Sequence, residues 1–481
     1  MHIIDIAIIA VYLIGLLSFG YYFFRTNKDA DDYYIGGRSI KSWHIGLSVV
    51  ATDVGGGFSI GLGGLGFMIG LSGSWMLFTG LLGAWISAVF LIPKVRRLPF
   101  YRGLTTFPQI FGHLYNSKVA LIAGVISAIG YFGFASSQLL AGAKLASAAI
   151  PEVNLNHALY VMGFVAVVYT FLGGLKAVIY TDTVQWIILL FGLIVIGIPL
   201  GYTAVGGWSA IQEHLPAAHL RLDNISIVQF VNWAVTIIPI WFVGMTLYQR
   251  IYASRSEREA RKAWFIAGIF EWPIMAFMGV ILGMIAKVAY MEGQFIDLGF
   301  APGDDMDPEM GLPLLLHQVL PVGFLGIMFA AYFSAILSTA DSCLMASSGN
   351  IITDIIKPFT NISLSRELRL GQLVTLLLGA SGVLLASFLT NVLDIMLMSY
   401  AFLVSGLFIP IVGGLFWRNA SSTGAILAMV FGGSVTVILM TMSYDLPLGL
   451  DPNIFGILTA FIIFVATSLM FPSNKSKVRT E

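Results

Sequence analysis

Long apolar segments alternate with short polar segments along almost the whole chain of 481 residues. A helix needs about 20 consecutive apolar residues to cross the hydrocarbon core of a bilayer. By this criterion the pattern predicts thirteen membrane spans, at residues 3–24, 45–70, 74–92, 119–149, 157–174, 177–203, 227–249, 263–290, 312–356, 370–389, 392–416, 421–442 and 453–471. Two of them, 119–149 and 312–356, exceed a single crossing, so we expect them to bend or to continue as surface helix. The chain, 1–481, is thus predicted to be a single membrane domain.

The composition agrees with this pattern, because 58% of the residues are hydrophobic and only 10% are charged. Soluble domains carry about 25% charged residues, so a lipid bilayer is the expected environment. The formal net charge is zero, which gives no electrostatic reason to bind nucleic acid. Cys343 is the single cysteine, which excludes an intrachain disulfide framework. The first apolar run lacks a basic start, so we expect a retained span and no cleaved signal peptide.

The distribution of Lys and Arg predicts the direction of the spans, since cytoplasmic loops are enriched in both residues. With the N terminus outside, 22 of the 25 Lys and Arg, Arg250 among them, fall in inside segments. Lys144 and Lys287 are expected at outer helix ends, where their long stems carry the amine to the surface. The predicted topology therefore has the N terminus outside and the C terminus inside. The outside loop after the eighth span is either a solvated loop or a cation-attracting vestibule; its acids are Glu292, Asp297, Asp304, Asp305, Asp307 and Glu309.

Four acids fall inside predicted spans: Asp53, Asp182, Glu271 and Asp341. Ionisable groups in a membrane are costly and usually face a cavity or a partner. None of the four has a basic residue at the same depth in its own span, so each needs another helix, a bound cation or a proton. Glu271 has no polar companions and is interpreted as an interhelical hydrogen-bonding group, which a proton could keep neutral.

Asp53 stands two residues before three consecutive glycines, 55–57. Each glycine weakens a helix by roughly 1 kcal/mol relative to alanine, so this run predicts an interruption of span 2. Interrupted membrane helices expose carbonyl groups that bind a hard cation such as sodium. The alternative is that the glycines only allow close helix packing.

Span 9 carries a polar face. Ala335, Ser338, Thr339 and Ser342 have the spacing i, i+3, i+4, i+7, and Asp341 flanks them. Hydroxyl, carboxylate and carbonyl oxygens suit sodium, and do not suit zinc or copper. The alternative is that each hydroxyl bonds to the backbone of its own helix.

Span 6 follows a Gly-Gly turn at 173–174 and carries Asp182 and Gln185 at positions i and i+3. This spacing predicts that both side chains point into the same region. Because Asp182 lies near the predicted helix start, an N-cap role is the alternative.

Three motifs resemble the sodium:solute symporter family. They are residues 32–39 (DYYIGGRS), the pattern GGxxAVxxTDxxQ at 173–185 and residues 338–342 (STADS). The resemblance covers nearly the whole chain and includes the thirteen spans.

The resemblance implies an all-α fold like that of the bacterial leucine transporter, with two inverted repeats of five helices. Repeat 1 would comprise 45–203 and repeat 2 would comprise 227–416. A first helix with a cytoplasmic loop, 1–44, and two extra helices with a short cytoplasmic tail, 417–481, would flank them. The glycines of span 2 and Pro239 in span 7 would then interrupt matching helices, and such paired interruptions indicate the binding site.

The same resemblance implies two sodium sites. The first Na⁺ would be bound by the carbonyl groups of Ala51, Val54 and Ala335 and by the hydroxyl groups of Ser338 and Thr339. The second, found in only some members, would be bound by Asp182, Asp341 and Ser342 together with Ser338. Every one of these groups is present, and the stoichiometry, 1:1 or 2:1, stays open.

Two branches of the family share features with the substrate region. The proline permeases share Ala51-x-Asp53 and the TDTVQ of 181–185, but they carry tryptophan where this chain has Gly57. The choline transporters share the three glycines and Trp75, but they carry a further tryptophan at the place of Phe134. Trp75 and Phe134 could still form part of a cation–π cage. The substrate-binding candidates are Asp53, Gly55, Gly56, Gly57, Phe58, Trp75, Phe134, Gln138 and Trp241.

The predicted function is sodium-coupled import of a small organic solute by alternating access, with Na⁺ as the coupling ion. A small amino acid such as proline, or a related zwitterion, is favoured; a quaternary amine such as choline or betaine, a sugar and a carboxylate are the alternatives. Proton coupling also stays open. A cation channel or a membrane sensor is the alternative of another class, and the absence of a nucleophile–base pair argues against an enzyme. We expect a monomer that spans the cell inner (cytoplasmic) membrane many times and does not bind nucleic acid.

Overall fold

The computed structural model describes residues 1–26, 36–53, 55–150, 153–172, 175–360, 364–442 and 446–472. Within these ranges every regular element is a helix. In chain order the α-helices are α1 (Ile3–Thr26), α2 (Ser42–Asp53), α3 (Gly55–Ile69), α4 (Trp75–Ile86), α5 (Ile92–Arg96), α6 (Pro108–Leu114), α7 (Ser117–Ala149), α8 (Leu155–Leu172), α9 (Leu175–Phe191), α10 (Ile198–Ala204), α11 (Gly207–His214), α12 (Ile227–Val243), α13 (Met245–Ala253), α14 (Glu257–Ile269), α15 (Ala276–Met291), α16 (Gly311–Val319), α17 (Phe324–Asn350), α18 (Leu364–Ala386), α19 (Val392–Phe416), α20 (Ser422–Met442) and α21 (Pro452–Met470).

The apolar segments of the sequence are helices in the structure, as predicted. In the described part of the chain, nine helical stretches are long and apolar enough to cross a membrane, and the bent pair α12 and α13 would make ten. Shorter apolar helices occur at Ile3–Leu16 and Leu155–Val168. One long stretch, Ser59–Arg96, combines two predicted spans, which the five-residue 3-10 turn Gly70–Ser74 separates. The total of thirteen spans and the orientation in the membrane stay predictions.

Span 2 is interrupted where the glycines predicted it. Helix α2 ends at Asp53, α3 begins at Gly55, and Gly55 has a φ of +56°, a left-handed value that favours glycine. A Cβ at this position would also lie 3.0 Å from the Thr339 hydroxyl oxygen. The break therefore combines an unusual backbone conformation with close approach to α17.

Span 7 is also interrupted, but not at Pro239 as the sequence analysis expected. Pro239 lies inside α12, and the chain bends by 43° at Gly244, which separates α12 from α13. Gly244 has extended φ and ψ angles of −67° and 112°. A proline removes one backbone donor, whereas the extended residue ends the helix. The break therefore lies five residues nearer to Arg250 than predicted.

A third irregularity joins α14 to α15. The π-helical segment Phe270–Met275 contains Trp272 with extended φ and ψ angles of −139° and 123°. Glu271 is the residue immediately before it. The segment 312–356, which exceeded one crossing, is divided into α16, a break near Gly323, and α17. The segment 119–149 is part of one long helix, α7.

Helix α17 lies at the centre of the bundle, and almost all of its residues are buried. It packs against α1, α2, α3, α7 and α9. Small residues allow the closest helix approach in this core, as is usual in membrane proteins. A Cβ on Gly66 of α3, for example, would lie 2.2 Å from the Val280 carbonyl oxygen of α15. The interrupted helix α2–α3 is thereby held between α17 and α15.

Candidate functional site

The break between α2 and α3 faces the polar surface of α17. The Thr339 hydroxyl group donates hydrogen bonds to the carbonyl oxygens of Ala51, at 2.9 Å, and Ala335, at 3.0 Å. Thr339 and both alanines are buried. Three of the five predicted ligands of the first sodium thus lie together, and their oxygens are of the type that sodium prefers. Val54, the fourth, lies outside the described residues.

Ser338, the fifth predicted ligand, donates a hydrogen bond to Asp182 Oδ1. The other carboxylate oxygen of Asp182 accepts a hydrogen bond from Ser48 at 2.5 Å. Asp182 is fully buried and lies inside α9, seven residues after the helix begins, so it is not an N-cap. Ser338 therefore connects the two predicted sodium sites. Gln185 bonds to Ser334 instead, and its carbonyl oxygen has no described partner.

Arg250 is a member of this site that the sequence analysis missed. Its guanidinium group is fully buried and lies 3.8 Å from Asp182 Oδ2. It donates hydrogen bonds to Thr52 at 2.7 Å, to Ser342 at 3.0 Å and to Ser48 at 3.3 Å. The assignment of Arg250 to an inside loop was wrong, because the break at Gly244 leaves α13 wholly buried. Arg250 joins α2, α9, α13 and α17.

Asp341 adds a second carboxylate beside Asp182. It is fully buried, and neither of its carboxylate oxygens has a hydrogen-bond partner among the described residues. Thr170 lies next to it, but the Thr170 hydroxyl group donates to the Ala166 carbonyl oxygen at 2.9 Å. If both carboxyl groups are ionised, the two carboxylates and one guanidinium group leave one negative charge, which a proton or one monovalent cation would balance.

Asp53, the last residue of α2, and Glu271 form a second acidic pair. Their carboxyl groups are close enough to interact with one another. The Tyr400 hydroxyl group lies 3.3 Å from Asp53 Oδ1 and donates to it. Both oxygens of Glu271 are buried without a donor in the described structure. Ionised carboxylates only accept hydrogen bonds, so the two groups cannot satisfy each other without a proton or a cation.

Phe134 and Gln138 lie on α7 near the same break. The Phe134 ring packs edge-to-face on Tyr400 at 5.1 Å, and a Cβ on Gly55 would lie 3.4 Å from Gln138 Oε1. The structure thus brings these two predicted substrate residues close to Asp53. Gly56 and Gly57 belong to helix α3, and the Phe58 side chain lies outside the described part.

Trp75 and Trp241 lie in other aromatic clusters. Trp75 packs against Phe78 at 5.1 Å and stacks with Trp272 at 6.3 Å. Trp241 contacts Trp264 at 6.1 Å. The structure therefore does not bring Trp75 and Phe134 into one cage, because separate helices pack around each ring. Trp75 instead stacks with Trp272, which is the residue that follows Glu271.

A buried ion pair near the start of α19 also differs from expectation. The Lys144 amine lies 2.5 Å from Glu309 Oε2 and 2.5 Å from Asp307, and it is only 1% exposed. Glu309 also accepts hydrogen bonds from the backbone N–H groups of Val392 and Leu393, at the start of α19. Lys144 therefore does not extend to the surface, and two acids of the acidic loop fix that loop to α7 and α19.

The sequence model of the sodium:solute symporter family matches residues 33–432. A sodium/glucose cotransporter of Vibrio parahaemolyticus is 26% identical over 514 residues, which cover 98% of this chain and 92% of the relative. A sodium/proline symporter of Salmonella typhimurium is 27% identical over 445 residues, which cover 89% and 86%.

Two solved structures share the fold. A Na⁺-coupled sialic acid symporter in a substrate-bound outward-open state has a TM-score of 0.78 at 21% identity, with 98% of this chain and 99% of that chain covered. Mhp1, a nucleobase-cation-symport-1 family transporter in a closed conformation, has a TM-score of 0.60 at 14% identity, with 92% and 94% covered. At these identities the likeness establishes the helical architecture alone.

Proposed function

The chain belongs to the sodium:solute symporter family, and from this premise we propose that it imports a small organic solute by sodium-coupled secondary active transport. The contact of Thr339 with the carbonyl groups of Ala51 and Ala335 carries the proposal. In this contact, oxygen atoms of α17 lie beside the interruption of α2–α3. We propose that ion binding at this junction changes how α2–α3 packs against α17.

The first Na⁺ binds at this junction. Its ligands are the carbonyl groups of Ala51, Val54 and Ala335 and the hydroxyl groups of Ser338 and Thr339. The Thr339 hydroxyl oxygen already lies 2.9 Å from the Ala51 carbonyl oxygen and 3.0 Å from the Ala335 carbonyl oxygen. Binding of Na⁺ turns the Thr339 proton away from the carbonyl groups and joins α2 to α17, which favours one state of the bundle.

The second Na⁺ binds between Asp182 and Asp341, with Ser338 and Ser342. Arg250 supports this proposal, since it compensates one of the two carboxylates and leaves the charge of one monovalent cation to be supplied. Na⁺ at this place shares Ser338 with the first ion. The proposed stoichiometry is therefore two sodium ions for each solute.

The solute binds beside the α2–α3 break, close to Asp53, Phe134 and Gln138. In the proposed alternating-access cycle, binding of the two ligands is coupled by linkage: sodium raises the affinity for the solute by the same factor by which the solute raises the affinity for sodium. A small amino acid such as proline, or a related zwitterion, is the proposed solute, supported by the sodium/proline symporters among the relatives. A sugar is the second candidate because of the sodium/glucose cotransporter.

The protein works in the cytoplasmic membrane as a monomer, with its N terminus outside and its C terminus inside. The stretches long enough to cross a bilayer support a location in a membrane. Solute, sodium ions and lipid are its partners.

The test is thermal unfolding of the purified protein in detergent with sodium or potassium chloride, across proline, betaine, choline, glucose and acetate. Sodium should raise the midpoint, potassium should not, and one class of solute should add to the sodium effect. Thr339→Ala should reduce the sodium effect, because it removes a ligand of the first of the two proposed sites. Thr441→Ala is the control, because Thr441 is an exposed threonine that bonds only to its own helix. Sodium stabilisation as large in Thr339→Ala as in the wild type would contradict the assignment of the first site.

A further inference from the structure

Four arginines line one cavity that the sodium sites do not use. Its volume is about 640 Å³, within the range of about 300–1,000 Å³ that is usual for small-ligand pockets. The polar residues that line it are Arg38, Arg96, Tyr101, Arg102, Ser254 and Arg255. None of the described lining residues is acidic. The cavity therefore concentrates positive charge in a space large enough for a small anionic group.

The cavity lies where two stretches of membrane-spanning length end. Arg96 is the last residue of the stretch Ser59–Arg96, and Arg255 precedes the stretch Glu257–Met291 by two residues. All four arginines belong to segments that are predicted to lie inside. The polar headgroups of lipids begin just beyond the hydrocarbon core that such stretches cross. The cavity is therefore within reach of lipid headgroups.

Two of the four guanidinium groups lie against the ring of Tyr101. The guanidinium carbon of Arg96 is 4.6 Å from the centre of this ring, and that of Arg38 is 5.8 Å from it. Arg38 also donates a hydrogen bond to the Leu104 carbonyl oxygen at 2.8 Å. Both arginines are half-buried. Two positive charges at this separation repel each other, so an anion bound beside them is favourable.

Arg96 has donors available for such an anion. It donates to the Tyr101 hydroxyl group, to the Ile251 carbonyl oxygen at 3.3 Å and to the Ser254 carbonyl oxygen at 3.0 Å, and all three bonds use Nη1. A guanidinium group carries five N–H donors, and in the described structure Nε and Nη2 of Arg96 donate to no acceptor. Two parallel N–H groups of arginine match two oxygens of a phosphate group. The free edge of Arg96 therefore fits a phosphate group.

The acids at the start of α14 do not neutralise the cavity. Glu257 forms an ion pair with Arg97 at 3.0 Å. Glu259 attracts Arg255 without forming an ion pair with it, and its carboxylate accepts a backbone N–H at 2.8 Å. No described carboxylate forms an ion pair with the three cavity arginines that follow Arg38. The positive charge of the cavity is thus available to a ligand.

We propose that this cavity binds a phosphate group, which the headgroup of an anionic phospholipid supplies. Arg96 binds the phosphate through Nε and Nη2, and the exposed side chains of Arg102 and Arg255 add the remaining positive charge. Basic pockets between membrane helices suit anionic headgroups in this way. The inference depends neither on the transported solute nor on the number of sodium ions.

The lipid site adjoins the helix that carries Arg250. Arg96 bonds to carbonyl groups at the C-terminal end of α13, where a positive charge is favourable. A phosphate bound to Arg96 fixes this side chain, and through it the end of α13. Binding of the lipid therefore stabilises the folded protein.

The experiment titrates the purified full-length chain in a neutral detergent with dioctanoyl phosphatidylglycerol and follows the thermal midpoint in potassium chloride at constant ionic strength. A ligand that binds only the folded state raises the midpoint. We expect a saturable rise with phosphatidylglycerol and none with phosphatidylcholine, whose choline group cancels the charge of the phosphate. Potassium phosphate without lipid should give no rise.

Arg102→Gln combined with Arg255→Gln tests the cavity without removing the bonds of Arg96. The lipid concentration at half-saturation should rise by about 30-fold, which is about 2 kcal/mol, or about 1 kcal/mol for each arginine. Arg97→Gln combined with Arg258→Gln is the matched control, because it removes two exposed arginines beside the cavity. The control should bind the lipid like the wild type. If the cavity variant does not fold, Arg102→Gln alone should weaken binding by about 5-fold.

Three results would overturn the proposal. Unchanged lipid affinity in the cavity variant would show that the cavity is not the binding site. An equal loss of affinity in the cavity variant and in its control would show attraction to general surface charge. A rise with potassium phosphate as large as that with phosphatidylglycerol would make free phosphate the ligand, and would refute the assignment to a lipid headgroup.

Discussion

Replacement of Arg250 by methionine tests how the buried guanidinium group and the Asp182 carboxylate depend on each other. Methionine keeps much of the apolar length but removes the charge and the hydrogen bonds to Thr52 and Ser342. Two unit charges 3.8 Å apart interact by about 4 kcal/mol at an effective dielectric constant of about 20. Removal of one partner of a buried ion pair costs about 3–5 kcal/mol. We therefore expect Arg250→Met to destabilise the protein by about 4 kcal/mol.

Thermal unfolding in detergent measures this loss. With an unfolding entropy of about 2.1 cal/mol/K per residue, the 481 residues give about 1 kcal/mol/K, so the midpoint should fall by about 4 °C. Helices that persist in detergent reduce the entropy and enlarge the shift. Asp182→Asn and the double variant complete a double-mutant cycle. Arg97→Met, which removes a surface partner of Glu257, is the control and should give no resolvable shift.

The double variant decides the outcome. If Arg250 and Asp182 compensate each other, Asp182→Asn should recover most of the stability that Arg250→Met loses. Midpoint shifts of the two single variants that add up to the shift of the double variant would refute the pairing. Arg250 would then stabilise the bundle through its hydroxyl contacts alone.

Two further predictions concern other buried charges. Lys144→Met leaves Glu309 without its cation and should lower stability by about 3–5 kcal/mol; an unchanged thermal midpoint would show that the N–H groups of α19 suffice for Glu309. Asp341→Asn removes the excess charge of the second site and should reduce the Hill coefficient of sodium-dependent solute binding from near two to about one. Asp305→Asn, in an exposed loop, is its control. An equal Hill coefficient in the wild type, Asp341→Asn and Asp305→Asn would show that no second sodium binds at Asp341.

Much of the architecture could be predicted, because the cost of polar groups in a membrane is visible in the sequence. The apolar runs predicted the helices, and the glycines after Asp53 predicted the interruption of α2–α3. The polar face of α17 predicted which oxygens meet that interruption. These inferences need only the local spacing of residues. The expectation that the α2–α3 interruption meets the polar face of α17 came from the family resemblance.

Arg250 could not be found in this way. The positive-inside rule assigns basic residues by their position relative to span ends, and Arg250 follows the last residue of the predicted span 227–249. The true break at Gly244 makes α13 a buried half-helix, so Arg250 lies in the core. Proline was the more conspicuous signal for a break, but an extended glycine ended the helix.

The pairing of Asp53 with Glu271 was also beyond prediction. The two residues are far apart in the chain, and their meeting depends on how α14 and α15 join. Gly80 makes space for Glu271, yet nothing in the local sequence of α4 indicates which side chain fills that space. Such tertiary contacts depend on the packing of several helices at once.

Binding of ²²Na⁺ to the purified protein tests the central claim most directly. We expect saturable binding that unlabelled sodium displaces and potassium does not. Binding at the first site should be lost in Thr339→Ala and retained in Thr441→Ala. Absence of saturable sodium binding in the wild-type protein, or equal displacement by potassium, would contradict it.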